Sequence, residues 1–225
     1  INIVEDWKST KITVIGDCIV DQYAACEALG MSAEAPVVVV RELQSKNFLG
    51  GAAVVASHIK SLGGKCDLIS IVGSDDNSKI VKEGLDDLDI GNYLTIDNSR
   101  PTTFKKRYIV ENQKLFRVSR LENKDVNKNI EDQIINNLRK SCDDSSGIVI
   151  SDFVYGVITE RILYEIKKIS KNKNIPIFGD IQCSSQVGSI TKFKNFSLLT
   201  PNEREARIAL RDKESGLETL SQELI

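Results

Sequence analysis

At 225 residues, 41% hydrophobic and 28% charged, the chain has the composition of a globular protein with an ample core, not of a disordered one. Its formal net charge of −2 gives no electrostatic case for nucleic-acid binding. No apolar run approaches the roughly 20 residues of a membrane span, and INIVEDWKSTK lacks the ordered regions of a signal peptide.

In chain order, KITVIGD (11–17) reads as a buried strand ending in Gly16-Asp17, and APVVVV (35–40) as a second, short and β-branched. The stretch LGGAAVVASHIKSLGG (49–64) places Ala52, Val55, Ala56, Ile59 and Leu62 on one helical face and closes on Gly63-Gly64, as helices commonly do. Its opening pair, Gly50-Gly51, stands where Ser, Thr, Asp or Asn usually caps a helix. It serves either free N–H groups offered to a hydroxyl or anion, or close helix–sheet packing. CDLISIVG (66–73) is the next strand, followed by the capped helix SDDNSKIVKEGLDDL. TTFKKRYIV and KLFRVSRLE alternate polar with apolar around an ENQ turn, the pattern of half-exposed antiparallel strands. VNKNIEDQIINNLRKS is an amphipathic helix; GIVISDF (147–153), TERILYEIKKISKN, IPIFGDI (175–181) and SLLTPN (197–202) make two strand–helix–strand turns, and EREARIAL begins another helix. This alternation predicts an α/β fold with a parallel, doubly wound sheet covered by helices. Segments near 18–45 and 98–121 sit outside the rhythm and predict a small β-lid. The chain starts at Ile1 rather than Met and stops directly after the helical ESGLETLSQELI, from which we expect a longer polypeptide.

Ligands of an open parallel sheet bind beyond the carboxyl ends of the strands. There the sequence offers Asp17 and Asp21, then Ser74-Asp75-Asp76, Asp152, Asp180, and Asn202 with Glu203 and Glu205. Oxygen donors of this kind suit sugar hydroxyls and Mg²⁺ and suit zinc poorly; for Asp75 and Asp180, capping of the next helix is an equal alternative. The five cysteines, Cys18, Cys26, Cys66, Cys142 and Cys183, are scattered, odd in number and without a C-x-x-C pair. They read as small buried thiols of a reducing cytoplasm. One histidine, His58, and no G-x-S-x-G elbow argue against Ser-His and Cys-His hydrolases. Neither G-x-G-x-x-G nor G-x-x-x-x-G-K-[ST] occurs.

GDCIVDQY, SAEAPVVVV, FLGGAAVVASHIKSLGG, IVGSDD, PTTFKKR, VISDFVYG and LLTPNEREA follow the order of motifs in the ribokinase/PfkB family of carbohydrate kinases. The resemblance spans residues 11 to 210 and is similar above all to bacterial heptose-7-phosphate kinases. It implies a ribokinase-like, three-layer, mostly parallel sheet with a lid that often forms a dimer, and a cytoplasmic ATP- and Mg²⁺-dependent kinase of a sugar or sugar phosphate. It implies that Asp21 and the Gly50-Gly51 backbone hold the sugar and that Asp152 stands at the substrate. Lys105 and Arg107 face a substrate phosphate or, alternatively, only solvent. Asn202 and Glu205 match an N-x-x-E motif near ATP, with Glu205 toward the metal. Three positions depart from the pattern: Val54 replaces an amide, Tyr155 a lysine, and Gln182 stands in DIQ where the relatives have DPK. Loss of a hydrogen-bonding group from a polar pocket changes selectivity by orders of magnitude. The family's Gly-Ala-Gly-Asp motif, whose aspartate is the catalytic base, does not occur. The 225 residues therefore read as an incomplete kinase domain, expected to be inactive alone. A non-catalytic sugar-binding or regulatory module and a nucleoside or vitamin kinase are the alternative readings.

Overall fold

The computed structural model describes residues 7–182 and 188–224, so Cys183 lies outside the described residues. After a 3-10 turn at Trp7–Ser9 come β1 (Lys11–Gly16), β2 (Cys18–Met31), β3 (Val38–Gly51), α1 (Ala52–Ser61), β4 (Lys65–Val72), α2 (Asp76–Asp87) and β5 (Gly91–Ile96). The chain continues through β6 (Phe104–Val110), β7 (Gln113–Arg120), α3 (Lys128–Ser141), β8 (Gly147–Asp152), α4 (Glu160–Lys173) and β9 (Ile177–Ile181). A second 3-10 turn, Ile190–Phe193, precedes β10 (Leu198–Leu199), α5 (Glu203–Leu210) and α6 (Leu217–Leu224).

The main sheet has the order β10-β9-β8-β1-β4-β5, with every neighbouring pair parallel. Successive strand side chains point to opposite faces. Val14 and Leu68 thus meet Ala52 and Ala56 of α1 and Val81 and Leu85 of α2. Ile15 and Ile69 join a separate cluster with Ile134 and Leu138 of α3 and Ile162 and Ile166 of α4. Helices on both faces make the three-layer, doubly wound arrangement that the alternation predicts, each buried Leu or Ile contributing about 1.5–3 kcal/mol. Local signals place the helix starts. Asn127 Oδ1 accepts the N–H groups of Asn129 and Ile130 at 3.0 and 3.1 Å, and Thr159 Oγ1 accepts that of Ile162 at 3.3 Å. The α4 helix ends on Asn174 in the left-handed region, φ 52°. Because β1 has β4 on one side and β8 on the other, the winding changes direction at β1. The carboxyl ends of these strands therefore open into the crevice where ligands of such sheets sit.

The lid is a separate sheet of order β3-β2-β6-β7. Two antiparallel hairpins, β2–β3 and β6–β7, are joined by a parallel β2–β6 pair. The expected hairpin near 98–121 is present, and the other lid segment extends past residue 45 to Gly51. Two local expectations change. The β-branched run 35–40 is not a core strand: β3 begins at Val38, on the exposed part of the lid. The glycine pair ends this strand rather than opening the helix, with Gly51 as the N-cap of α1. Buried residues of α1 are Ala52, Ala53 and Ala56, while Leu62 lies past the last turn and is exposed. Two strands escaped the sequence reading, the 14-residue β2 and the edge strand β5. SLLTPN contributes a ladder of only Leu198 and Leu199, since Pro201 has no N–H to continue it.

Candidate functional site

Strand register gathers the site. In the parallel β2–β6 pair, Asp21 stands opposite Lys105 and Tyr23 opposite Arg107. Alternation turns Ile19, Asp21 and Tyr23 of β2 and Lys105, Arg107 and Ile109 of β6 to one side. With Phe48, Gly50, Gly51, Val54, Phe153 and Gln182 they line a cleft of about 1090 Å³ between lid and main sheet. Such a volume matches or exceeds typical small-molecule sites of about 300–1,000 Å³. Lys106, between the two cleft-facing cations, points the other way and pairs with Glu42 at 2.7 Å.

The glycines are explained by what lies against them. A Cβ on Gly50 would stand 2.4 Å from Asp21 Oδ2. One on Gly51, whose φ is 60°, would stand 2.1 Å from the carbonyl oxygen of Asp17. That carbonyl accepts the Ala52 N–H at 2.9 Å. Close packing, one of the two readings of the pair, accounts for Gly51. Gly50 does more, because the group packed against it is the carboxylate at the cleft wall.

The charges divide unevenly. Arg107 Nη1 is ion-paired with Asp21 Oδ1, and its guanidinium lies 5.2 Å from the Tyr23 ring centroid. Lys105 is 3% exposed and has no carboxylate partner among the described residues. Its Nζ lies 5.2 Å from the ring centroids of both Phe153 and Tyr155. Cation–π contact offsets part of the desolvation of a buried ammonium without neutralising it. Of the two cations placed here by sequence, Lys105 is therefore the one with charge to spare for an anion. Tyr155, one of the departing positions, is buried and supplies one of the two rings, while Val54 and Gln182 line the cleft itself.

Asp152 does not line this cleft. It is buried behind the cleft-lining Phe153, where Oδ1 accepts the Val154 N–H at 2.8 Å and Oδ2 pairs with Lys192. Beside it is Asp17, at the end of β1. The sequence placed Asp17 at a strand end but could not show where its side chain points. Its Oδ2 accepts the N–H groups of Phe153 at 2.8 Å and Tyr155 at 3.2 Å. Burial, reinforced by the charge of Asp152, raises the Asp17 carboxyl to about 7, against the lowering effect of those N–H groups.

Asn202 and Glu205 lie at the start of α5, apart from the residues around Asp21. They form a capping box: Asn202 Oδ1 accepts the Glu205 N–H at 3.0 Å, and Glu205 Oε2 accepts the Asn202 N–H at 2.9 Å. Among the described residues no three His, Cys, Asp or Glu side chains converge as ligands of a cation. The local donors are oxygen, which fits Mg²⁺ held largely through water and phosphate rather than in a protein cage. Asp75 is a cap, accepting the Ser78 N–H at 3.2 Å and also that of Thr102 at 3.0 Å. Asp180 instead accepts from Thr200 Oγ1 at 2.9 Å and Gln182 Nε2 at 3.3 Å. Cys18, Cys26, Cys66 and Cys142 are free and buried, and burial pushes the Cys18 and Cys66 thiols up to about 12, far from a thiolate nucleophile. No helix of the described residues is long and apolar enough to cross a membrane.

Comparison with known proteins bears on this geometry. The chain is similar to the bifunctional protein HldE of Campylobacter jejuni subsp. jejuni serotype O:6, 36% identical over 202 residues covering 89% of this chain and 41% of that protein. The HldE proteins of Helicobacter hepaticus and Geobacter sulfurreducens are each 33% identical, over 90% of this chain and 41% of theirs. The chain thus spans about two fifths of the length of the curated relatives it matches. Among solved structures, phosphofructokinase-2 from Escherichia coli in complex with substrates and products superposes with a TM-score of 0.73 at 14% identity, covering 96% of this chain and 69% of that one. Arabidopsis thaliana ribokinase complexed with ribose and ATP gives 0.64 at 16% identity, over 95% and 66%. At such identities these likenesses speak for the fold alone. The model of the pfkB family carbohydrate kinases matches residues 9–224, and with relatives above 30% identity over nine tenths of the sequence, the chain belongs to that family.

Proposed function

We propose that the cleft between lid and sheet binds a sugar phosphate of the heptose 7-phosphate class, one hydroxyl of which receives a phosphoryl group from ATP. The observation that carries this reading is the juxtaposition of a carboxylate, Asp21, with an ammonium, Lys105, that no carboxylate among the described residues neutralises. Asp21 accepts hydrogen bonds from sugar hydroxyls, the Gly50-Gly51 backbone allows the ring to approach, and Lys105 takes the substrate's phosphate, with Arg107 oriented by Asp21. Asp152 acts from behind the cleft, through the turn that follows it. The family and the ATP named with the Arabidopsis neighbour support ATP as donor. Asn202 and Glu205 would hold Mg²⁺ through water at the start of α5, where the ion neutralises phosphate charge. None of the described residues is assigned as the base. Exposed Leu43 and Met31 on the lid support a homodimer through that sheet.

Calorimetry and turnover on the active protein test this reading. Asp21→Ala raises the sugar KM tenfold or more, because a hydrogen bond to a charged group contributes about 1.5–3 kcal/mol; an unchanged KM removes Asp21 from the site. Lys105→Met weakens a phosphosugar and spares the neutral sugar, and equal losses for both would count against its role. A non-catalytic module is the second reading, favoured by the apolar Val54 at the cleft. Sugar binding without phosphoryl transfer would establish it.

A further inference from the structure

The turn after β8 is strained, and polar groups hold it from two sides. Val154 is β-branched yet has φ 62°, a left-handed conformation that such residues rarely adopt. On one side, Arg100 Nη1 donates to the Tyr155 carbonyl at 3.0 Å while its Nε pairs with the buried Asp97 at 2.8 Å. On the other, three successive amides point at two carboxylates: those of Phe153 and Tyr155 at Asp17 Oδ2, and that of Val154 at Asp152 Oδ1. The outcome is a pair of near-parallel rings, Phe153 and Tyr155, with centroids 6.3 Å apart. These are the rings that carry the Lys105 ammonium.

Asp17 itself is 2% exposed and lines no part of the cleft. Its Oδ1 meets no donor with hydrogen-bond geometry among the described residues, although the Val157 N–H also acts on the carboxyl. A buried oxygen left unpaired is destabilising, and a buried carboxylate beside another is more so. Two satisfied amides explain an acceptor at this position, but a buried carboxylate beside a second one is an unfavourable way to supply it. A strained turn, a disfavoured carboxylate and an unneutralised lysine, joined through Phe153 and Tyr155, point to a function for the arrangement.

We propose that Asp17 is a positioning residue: by holding the amides of 153 and 155 it sets the two rings, and the rings set where the Lys105 ammonium stands at the cleft wall. The coupling follows from the geometry; its use in substrate binding rests on the sugar-phosphate reading above.

The test reads Lys105 without any ligand. In protein with ¹³C-labelled lysine, the Lys105 Hε resonance, identified by its loss in Lys105→Arg, lies upfield of the other lysines because it sits over two ring faces. Asp17→Asn keeps an oxygen acceptor for the two amides and keeps this shift. Asp17→Ala removes the acceptor, and the resonance moves toward the other lysines. A folded Asp17→Ala protein with the resonance in place overturns the proposal. If that variant does not fold, Asp17→Ser, whose Oγ is one bond too short to reach both amides, is read in the same way. Inorganic phosphate titrated into the same samples binds about tenfold more weakly to Asp17→Ala, the loss expected for one displaced charged partner. A resonance that moves while phosphate binds no variant, wild type included, supports the positioning role and overturns only the anion-binding reading of the cleft.

Discussion

Gly51 shows how one residue joins fold and site. Its left-handed φ disfavours any side chain, and the Asp17 carbonyl oxygen lies 2.1 Å from where a Cβ would stand. Gly51→Ala therefore destabilises the protein by about 1–3 kcal/mol, seen as a lower Tm. Gly50→Ala acts differently. Its new methyl collides with a side-chain carboxylate rather than backbone, so the chain folds while Asp21 is displaced, and sugar affinity falls more than Tm. Comparable loss of both in the two variants would contradict this division. Asp17 adds a pH effect. With its native value near 7 and the unfolded value about 4, the native state binds the extra proton between those limits. Its contribution is fully present below about pH 4 and is lost as pH rises through about 7. Thermal melts of wild type and Asp17→Asn at pH 5 and pH 8 should show the variant gaining relative to wild type at the higher pH. Parallel shifts would mean Asp17 does not titrate in that window.

At the scale of elements, the start of α5 tests whether Asn202 matters to the fold before any ligand arrives. Its side chain satisfies one of the helix's unpaired N–H groups, and Glu205 returns the bond. Asn202→Ala costs about 0.5–2 kcal/mol, and for a chain of this size each kcal/mol lowers Tm by about 2–4 °C. A nucleotide-binding defect in Asn202→Ala must therefore exceed that stability loss to count as contact with ATP. Strand β6 illustrates the other element-level device. Three basic residues in a row, Lys105, Lys106 and Arg107, are split by the pleat into two that face the cleft and one that pairs outside it with Glu42. Lys106→Ala should accordingly leave phosphosugar binding intact, and an affinity loss like that of Lys105→Met would show that the register differs.

For the whole molecule, the lid has two sides with different chemistry. One closes the cleft with Asp21, Lys105 and Arg107; elsewhere the sheet exposes apolar residues, Leu43 being 61% exposed. Exposed apolar residues on a sheet are candidates for an interaction surface. If the proposed homodimer forms through the lid, a double substitution, Met31→Glu with Leu43→Glu, should yield a monomer in light scattering while leaving the protein's Tm nearly unchanged. A wild-type protein that is monomeric at high concentration would rule out the lid as a homodimer surface. The two sheets also divide the energetics. Both apolar clusters are built mainly on the main sheet and its helices, so charge substitutions on the lid should change affinity and assembly more than stability.

The sequence by itself determined the alternation of strands and helices, the parallel main sheet, the lid and the charged and glycine residues that line the cleft, though not its apolar and aromatic lining. Those features depend on local periodicity, capping and strand-end chemistry, which adjacent residues carry. Asp21, Gly50, Gly51, Lys105 and Arg107 were legible because a motif order places them. Only the tertiary structure decided what each side chain faces. It pairs Arg107 with Asp21, leaves Lys105 unneutralised over Phe153 and Tyr155, puts Asp152 behind the cleft, and engages Asn202 and Glu205 in a cap. Strand β2 was missed because CIVDQYAAC does not alternate cleanly, its character being set by partners far along the chain in β3 and β6. The role of Asp17 was hidden for the same reason: its amide partners lie 136 and 138 residues away. Burial, which raises its pKa, is a property of the packed molecule and not of any segment.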